Sequence, residues 1–412
     1  MIDTHEHLPW VEYPANPDLL SDYLSAYMSS DLISAGLKRE DLEKAVDPNR
    51  SVMERWRIVE PFWAFCRLTG YGRSLDIAVR EIYEVDQIND KTIEKLSALY
   101  KDSMKPGHAE RVLGELCNIE TSLVDVWPFM GVGENGIYKR VWSMRDFIMA
   151  SPSRSDHVLS YREGSDMLGY IQRKYAIPVN SLGDWLIAIE MELEAFIDQY
   201  GVRVLKNGLA YERTLRFEQV SYVHAKSLFD EAMKQKGQLA FPIELQDFMM
   251  HYVLQLANEH GLTMQIHTGL LEGNGNVLTN SDPSLLIPLF AAYPNVDFDL
   301  FHISYPYQQV ACALGKTFSN VFVDMCWAHI ISPSASVVAL DDFLDAMPYN
   351  KISAFGGDYG FVDGVCGHLY VSRENVSRTL AGKVERGAFS ERKALDIAKA
   401  LYYDNPKRIF KL

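Results

Sequence analysis

Short apolar segments that end in a histidine or an aspartate recur along the chain. Leu262–His267 and Val296–His302 end in histidine, and Lys351–Asp358 ends in aspartate. A fourth such segment lies at the N-terminus, where Met1 and Ile2 precede the run Asp-Thr-His-Glu-His. Longer segments with helical spacing separate these four. The alternation predicts parallel strands joined by helices, which is an α/β fold.

Four further strands are predicted between these segments. They cover Thr121–Trp127, Val141–Ala150, Gly201–Lys206 and Asn320–Asp324. Eight strands alternating with helices are typical of a (β/α)8 TIM barrel, in which the C-terminal strand ends converge on one face and build the active site. We therefore expect the polar residues that end the strands to lie close together at that face.

His5 and His7 are two positions apart on the first predicted strand. Side chains two apart on a strand project from the same side, so both imidazoles would point at one place. Neutral imidazole is the commonest metal ligand in proteins. The His-x-His spacing is short and common, and the alternative is a solvated strand end. The polar residues that end the other strands favour a metal site.

Residues 18–112 depart from the regular alternation and predict a helical insertion after the first strand. Segments with helical spacing run over Asp18–Ala35, Ser51–Leu68, Ser74–Tyr83 and Lys91–Tyr100. Pro48, Pro61 and the turn Gly70-Tyr71-Gly72 are expected to break them. Because the insertion leaves the strand end that carries the two histidines, we expect it to cover the catalytic face. Its aromatic residues are expected to pack internally; they are Trp56, Phe62, Trp63, Phe65 and Tyr71.

The length and composition fit one decorated barrel over residues 1–412. The chain has 412 residues, whereas a typical barrel of this kind has about 250. A hydrophobic content of 48% and a charged content of 23% are ordinary for a soluble enzyme. No apolar stretch approaches the roughly 20 residues that cross a bilayer. The first strand occupies the place of a signal peptide, so a cytoplasmic protein is expected.

Cysteine usage indicates the redox state of the chain, and its net charge restricts the classes of molecule that it is expected to bind. The five cysteines are odd in number and lack a Cys-x-x-Cys spacing, so we expect them to be reduced and buried. The net charge of −15 argues against nucleic acid, because phosphate binding needs clustered Lys and Arg. A small-molecule substrate is the expected partner, and a homo-oligomer is the default assembly.

Taken together, the strand-end residues resemble the metal-binding pattern of the amidohydrolase superfamily. That pattern has His-x-His on the first strand, histidines ending the fifth and sixth strands and aspartate ending the eighth. The closer likeness is to the amidohydrolase-related (amidohydrolase 2) branch, which includes modules fused to glutamine synthetase-like domains and, more distantly, uronate isomerases. It is carried by Gln265–Gly269, Lys206–Arg213, Thr69–Arg73 and Tyr403–Phe410.

The resemblance implies roles for five residues. His5, His7, His267 and Asp358 match the ligands of a mononuclear site, and His302 matches the residue that stabilises charge beside the metal's water. Asp358 would also act as the base for that water. One divalent ion is implied, with Zn²⁺ expected because three imidazoles and one carboxylate suit it, although Mn²⁺ or Fe²⁺ would also fit.

Lys206 has two interpretations within the superfamily. A carboxylated lysine at this strand end bridges two metals in dinuclear members, and His302 would then be a ligand too. The preferred interpretation is that Lys206 holds a substrate carboxylate together with Arg213; an ordinary solvated lysine is the remaining alternative. Tyr211 and Trp327 follow the fourth and seventh strands and are further candidates for substrate binding.

The function expected from these features is a metal-dependent hydrolase. It would cleave a C–N or C–O bond, as in an amide or lactone, in a small anionic substrate by means of a water activated by the metal. The alternatives are a uronate-type aldose-ketose isomerase and a metal-dependent non-oxidative decarboxylase. A barrel that binds a ligand without turnover is the alternative from outside the enzymes.

Overall fold

The computed structural model describes residues 1–8, 17–126, 136–150, 167–235 and 240–412. Within these ranges, eight parallel strands form one sheet in the order of the chain. The strands are β1 (Ile2–Glu6), β2 (Thr121–Val126), β3 (Tyr138–Ser143), β4 (Val204–Asn207), β5 (Thr263–Ile266), β6 (Asp297–Leu300), β7 (Val321–Asp324) and β8 (Ile352–Ser353). Helices follow most strands, and the predicted (β/α)8 TIM barrel is confirmed.

Backbone hydrogen bonds close the barrel between its first and last strands. Thr4 N donates to Phe355 O at 3.0 Å, and Asp358 N donates to His5 O at 2.9 Å. The segment that follows β8 therefore lies directly along β1. This closure joins residues that are 351 positions apart along the chain, Thr4 and Phe355.

The third strand differs from its prediction. Val141–Ala150 was expected to be a strand, but β3 ends at Ser143 and helix α7 (Arg145–Met149) follows it. Every residue of α7 is buried, and a short segment buried on all sides has no periodicity that separates a helix from a strand. Trp127, predicted to end the second strand, lies outside the described residues.

Six helices form the insertion between β1 and β2. They are α1 (Leu19–Ser25), α2 (Tyr27–Ser34), α3 (Arg39–Val46), α4 (Val52–Cys66), α5 (Gly70–Tyr83) and α6 (Ile93–Ser103). A π-helix over Glu110–Leu116 leads into β2. Ser51 starts α4 with a capping box, since its hydroxyl accepts from Glu54 N while Glu54 accepts from Ser51 N.

The structure corrects two expected helix breaks and the expected burial of one aromatic residue. Pro61 lies inside α4, and Gly70 begins α5 instead of ending a helix. A Cβ on Gly70 would lie 2.0 Å from Ile330 O, so this glycine permits close packing of α5 against the barrel. Phe65 is 75% exposed, whereas Trp56 and the other predicted aromatics are buried or partly buried.

The remaining helices surround the barrel. They are α8 (Met167–Tyr175), α9 (Leu182–Tyr200), α10 (Tyr222–Ala232), α11 (Ile243–His260), α12 (Ile287–Ala292), α13 (Gln308–Thr317), α14 (Ala328–Ile331), α15 (Pro333–Ala346), α16 (Val362–Glu385), α17 (Glu391–Lys399) and α18 (Asn405–Ile409). None of the helices in the described ranges is long and apolar enough to cross a membrane. All five cysteines are unpaired and buried, as expected.

Candidate metal centre

Five side chains from four strand ends meet at the C-terminal face of the barrel. Asp358 is central: its Oδ1 lies 3.5 Å from His5 Nε2 and 3.3 Å from His7 Nε2, and its Oδ2 lies 3.8 Å from His302 Nε2. His302 Nε2 lies 3.1 Å from His267 Nδ1. The structure thus brings together His5, His7, His267, His302 and Asp358.

A bulge in β1 aims the first two histidines. Ile2 and Asp3 pair with Thr121 and Ser122, but Glu6 pairs with Val124, so β1 holds one residue more than β2 over this stretch. Such bulges are common beside active sites, where they re-aim a side chain. His5 lies within the bulge and is buried, whereas the side chain of His7 is 47% exposed.

The backbone of the cluster is held in sparsely populated conformations. His302, Ile303, Ser304, Trp327 and Asp358 all have positive φ between 48° and 64°. None is a glycine, and left-handed backbone of this kind costs free energy that the surrounding structure must supply. Strained residues of this type concentrate at functional sites.

Glycines before Asp358 allow the close approach of β1. A Cβ on Gly357 would lie 1.9 Å from Glu6 Oε1, so only glycine fits there without displacing Glu6. Gly357 N also donates to Asp3 Oδ1 at 3.2 Å. These contacts fix the position of the neighbouring Asp358.

The hydrogen bonds of His267 and His302 test whether a cation fits the cluster. His302 Nδ1 lies 2.8 Å from Cys326 O, and His267 Nε2 lies 2.8 Å from Leu270 O. A carbonyl oxygen only accepts, so both nitrogens must carry the hydrogen. In neutral rings, the two nitrogens that face each other at 3.1 Å then both present lone pairs. That arrangement requires a proton or a metal ion between them.

The donor spacing fits a coordination sphere. A metal–nitrogen distance of about 2.0–2.1 Å sets neighbouring ligand atoms of a tetrahedral site about 3.3 Å apart. Four separations run from 3.1 to 3.8 Å: three join Asp358 to His5, His7 and His302, and one joins His267 to His302. Anchoring of the second ring nitrogen on a backbone carbonyl is the usual arrangement for metal-binding histidines.

The protonation states of three of the histidines and of Asp358 also suit metal binding. Burial holds the pKa of His5 and His267 well below the usual value and lowers the pKa of His302 to about 4. Burial alone would raise the pKa of Asp358, but the hydrogen bond from His7 and the nearby imidazoles hold it well below its usual range. Neutral imidazoles and an ionised carboxylate are the forms that bind divalent ions.

Four other buried carboxyl groups on these strands behave differently. Burial raises the pKa of Asp3 to about 6 and of Asp324 to about 7. Burial also raises the pKa of Glu6, beside Asp3, and of Asp299, beside Asp324, well above their usual values. The environment therefore separates Asp358, which stays ionised, from neighbours that bind protons readily.

Lys206 lies inside the cluster. Its Nζ is 3.1 Å from His5 Nε2 and 3.9 Å from the centre of the Phe301 ring. The side chain is buried, and burial lowers the pKa of its ammonium group. Because Lys206 contacts the same nitrogen that faces Asp358, a metal ion bound by His5 would compete with it.

Tyr211 and Trp327 border the histidines. The ring of Tyr211 meets His267 edge-on at 4.8 Å, and that of Trp327 meets His302 edge-on at 5.0 Å. The Trp327 Nε1 atom is buried and has no hydrogen-bond partner among the described residues. Both residues are therefore in place to contact a ligand of the cluster.

Arg213 is engaged by protein groups. Its guanidinium donates to the carbonyl oxygens of Thr214, Ile243 and Arg216, and it pairs with Asp247 at 2.7 Å. Three of its five N–H donors are used by these carbonyl oxygens, and the Asp247 carboxylate balances its charge. The structure therefore gives Arg213 partners in its own loop and in α11.

Two residues that the sequence analysis did not single out contact the cluster. The hydroxyl of Tyr27, in α2 of the insertion, donates to Asp358 O, and its ring stacks on Trp327 at 4.7 Å. The carboxylate of Asp125 comes within 4.8 Å of the nitrogens of His5 and His7. Asp125 follows an apolar strand segment, whereas a tyrosine on a helix carries no such signal.

The model of the amidohydrolase family matches residues 182–412, more than half of the chain. The chain belongs to this family. The matched region includes His267, His302 and Asp358 of the cluster. This confirms the resemblance that the strand-end residues indicated.

Two curated relatives match parts of this amidohydrolase-family chain. Protein fluG of Emericella nidulans is 27% identical over 174 residues, which are 41% of this chain and 20% of fluG. A uronate isomerase of Nostoc punctiforme is 25% identical over 268 residues, which are 57% of this chain and 52% of the isomerase. Both matches span less than two thirds of the relative's own length.

Solved structures share the fold of the whole amidohydrolase-family chain. A uronate isomerase from Thermotoga maritima superposes with a TM-score of 0.79 at 16% identity, covering 100% of this chain and 94% of that one. A glucuronate isomerase from Caulobacter crescentus gives 0.74 at 20% identity, with 100% and 91% covered. A putative metal-dependent hydrolase from Lactobacillus casei gives 0.68 at 14% identity, with 100% and 95% covered.

Proposed function

We propose that this protein is a metal-dependent hydrolase that cleaves a C–N or C–O bond, as in an amide or a lactone, of a small anionic substrate. The observation that carries the proposal is the convergence of four imidazoles and one ionised carboxylate at the spacing of a coordination sphere. His5, His7, His267 and Asp358 would hold one divalent ion, with Zn²⁺ preferred. When bound, the ion supplies Lewis acidity toward the substrate and lowers the pKa of water.

The two carboxylate oxygens of Asp358 would have different roles. Oδ1 faces His5 and His7, at 3.5 and 3.3 Å, and would bind the ion. Oδ2 faces His302 at 3.8 Å and is free to accept the proton of the attacking water and to pass it to the leaving group. His302 donates its Nδ1–H to Cys326 O and presents a lone pair at Nε2, so it would stabilise the charge that develops on the substrate oxygen once Nε2 has taken up a proton.

The substrate would be bound by groups around the cluster. Lys206 is the cation that would hold an anionic group of the substrate, and Tyr211 and Trp327 would line the space beside it. Arg213 is left out of this assignment because its guanidinium is already paired with Asp247 and three carbonyls. The insertion would cover the site through Tyr27.

Metal analysis of the purified protein tests the centre. We expect about one divalent ion per chain, and we expect His5→Ala and His7→Ala to lose it, because each removes a donor atom. His224→Ala, an exposed histidine of α10, is the matched control and should keep the ion. Full metal content in both cluster variants would contradict the proposal, and two ions per chain would instead favour a carboxylated Lys206.

A uronate-type isomerase is the second candidate. It is favoured by the match to the curated uronate isomerase over 57% of the chain. The metal-loaded protein should be incubated in parallel with small anionic amides and lactones and with glucuronate and galacturonate. Release of an amine or a ring-opened acid supports the hydrolase, whereas formation of a keto sugar supports the isomerase.

A further inference from the structure

We propose that Asp125 is a further ligand of the divalent ion and completes its coordination on the side of β2. This inference rests on the proposed metal dependence and goes beyond it, because it adds a second carboxylate to the ligand set. Asp125 lies near the C-terminal end of β2, a strand to which the sequence analysis assigned no site residue.

The strand register brings Asp125 level with His7. Glu6 of β1 pairs with Val124 of β2 in a parallel arrangement, so the next residues along the two strands, His7 and Asp125, stand side by side. Ligand atoms of His5, His7 and Asp125 all lie within 4.8 Å of one another. Ligands on opposite sides of one ion lie about 4.2 Å apart, twice the metal–ligand distance, so a small side-chain adjustment suffices.

The surroundings of Asp125 favour a cation. Burial raises the pKa of the Asp125 carboxyl group and so leaves its charge poorly compensated, whereas the charges of His7 and Lys206 and a hydrogen bond from Ser143 act in the opposite direction. An ionised carboxylate can accept about four hydrogen bonds, so one donor leaves most of its capacity for a metal. Asp125 is only half-buried and faces the same side as the partly exposed His7.

A second carboxylate changes the expected ion. With Asp125, the proposed set becomes three imidazoles and two carboxylates, and the two carboxylates balance the charge of a divalent ion. Five protein donors exceed the four of a tetrahedral zinc site. Mixed nitrogen and oxygen sets of higher coordination number suit Mn²⁺ or Fe²⁺ better.

Cobalt substitution tests the assignment without relying on activity. The full chain and its Asp125→Ala and Asp125→Asn variants would be loaded with Co²⁺, and Co²⁺ affinity measured by competition with a chelator. We expect Asp125→Ala to weaken binding at least tenfold and to intensify the visible d–d absorption, because four-coordinate Co²⁺ absorbs more strongly than five- or six-coordinate Co²⁺. Asp125→Asn keeps the shape and one oxygen, and should give a smaller change in the same direction.

The control and the remaining outcomes make the test decisive. Asp102→Ala removes a carboxylate that is 81% exposed and should leave both readouts unchanged. Weaker binding with an unchanged spectrum would overturn the inference and make Asp125 a positioning residue for His7. Unchanged affinity would also overturn it. Failure of the unmodified chain to bind Co²⁺ would instead overturn the metal dependence on which it rests.

Discussion

A buried carboxylate, Asp363, ties the insertion to the barrel. It lies in the first turn of α16 and is fully buried. It accepts hydrogen bonds from Tyr23 Oη at 2.9 Å and Tyr83 Oη at 2.7 Å, and it lies 3.0 Å from His108 Nε2. All three partners belong to the insertion. Asp363→Ala would therefore remove these polar contacts between the insertion and α16 without touching the metal centre.

The expected loss of stability in Asp363→Ala follows from the three hydrogen-bond donors that would lose the Asp363 carboxylate as their acceptor. Each buried donor left without a partner costs about 1–3 kcal/mol. The three share one carboxylate and would relax together, so the losses do not add fully. With three donors and incomplete additivity, we expect a decrease of about 3–5 kcal/mol in the free energy of unfolding.

Urea unfolding followed by circular dichroism measures this decrease. Asp230→Ala removes a partly exposed carboxylate paired with Lys226 on α10 and should change stability by less than about 0.5 kcal/mol. Adding Tyr23→Phe and Tyr83→Phe to Asp363→Ala removes two of the donors that lose this acceptor, although Tyr83 Oη also lies 3.1 Å from Ser103 Oγ. The triple variant should recover about 1–3 kcal/mol. A loss below about 1 kcal/mol for Asp363→Ala, or no recovery in the triple variant, would refute the reasoning.

Three further predictions concern the site and its supports. Gly269 has a φ of +78°, and a Cβ added there would lie 2.4 Å from Ser304 C. Gly269→Ala should therefore lower the free energy of unfolding, measured in urea, by about 2–4 kcal/mol. A decrease below about 1 kcal/mol would contradict the close packing. Burial raises the pKa of Asp324 to about 7, so the stabilising contribution of its protonated form is present at acid pH and is lost as pH rises through 7. Between about pH 4 and pH 8, the melting temperature of the unmodified protein should therefore fall more steeply than that of Asp324→Asn. Parallel curves for the two proteins would argue against this. Lys206→Gln should raise KM for an anionic substrate at least about tenfold while metal content is kept; loss of metal would point to the bridging role.

The strand ends of the site were predictable because they share one signal. An apolar segment that stops at a histidine or aspartate marked His267, His302 and Asp358, and the structure brings all three together. Asp125 precedes the end of both the predicted strand, which ran on to residue 127, and the observed β2, which ends at Val126, so it does not stand at a strand end as the other site residues do. The register between β1 and β2 reveals its position, and register cannot be read from one sequence.

Contacts made by the insertion were not predictable. Tyr27 sits on a helix whose apolar spacing shows only that one face is buried, and the partner of that face depends on tertiary packing. Phe65 was expected to be internal because most large aromatics are, yet it is 75% exposed. Arg213 seemed suited to an anion by charge alone, but its true neighbour, Asp247, comes from a helix 34 positions further along the chain.

The closure between β1 and the segment after β8 has a consequence for biosynthesis. Donor groups from β1 and from the segment after β8 are joined only when Phe355 and Asp358 meet β1. A ribosome-bound chain would thus lack a complete pocket for the ion until the segment through Asp358 had been translated. Metal uptake would then follow synthesis of that segment and would require a closed barrel.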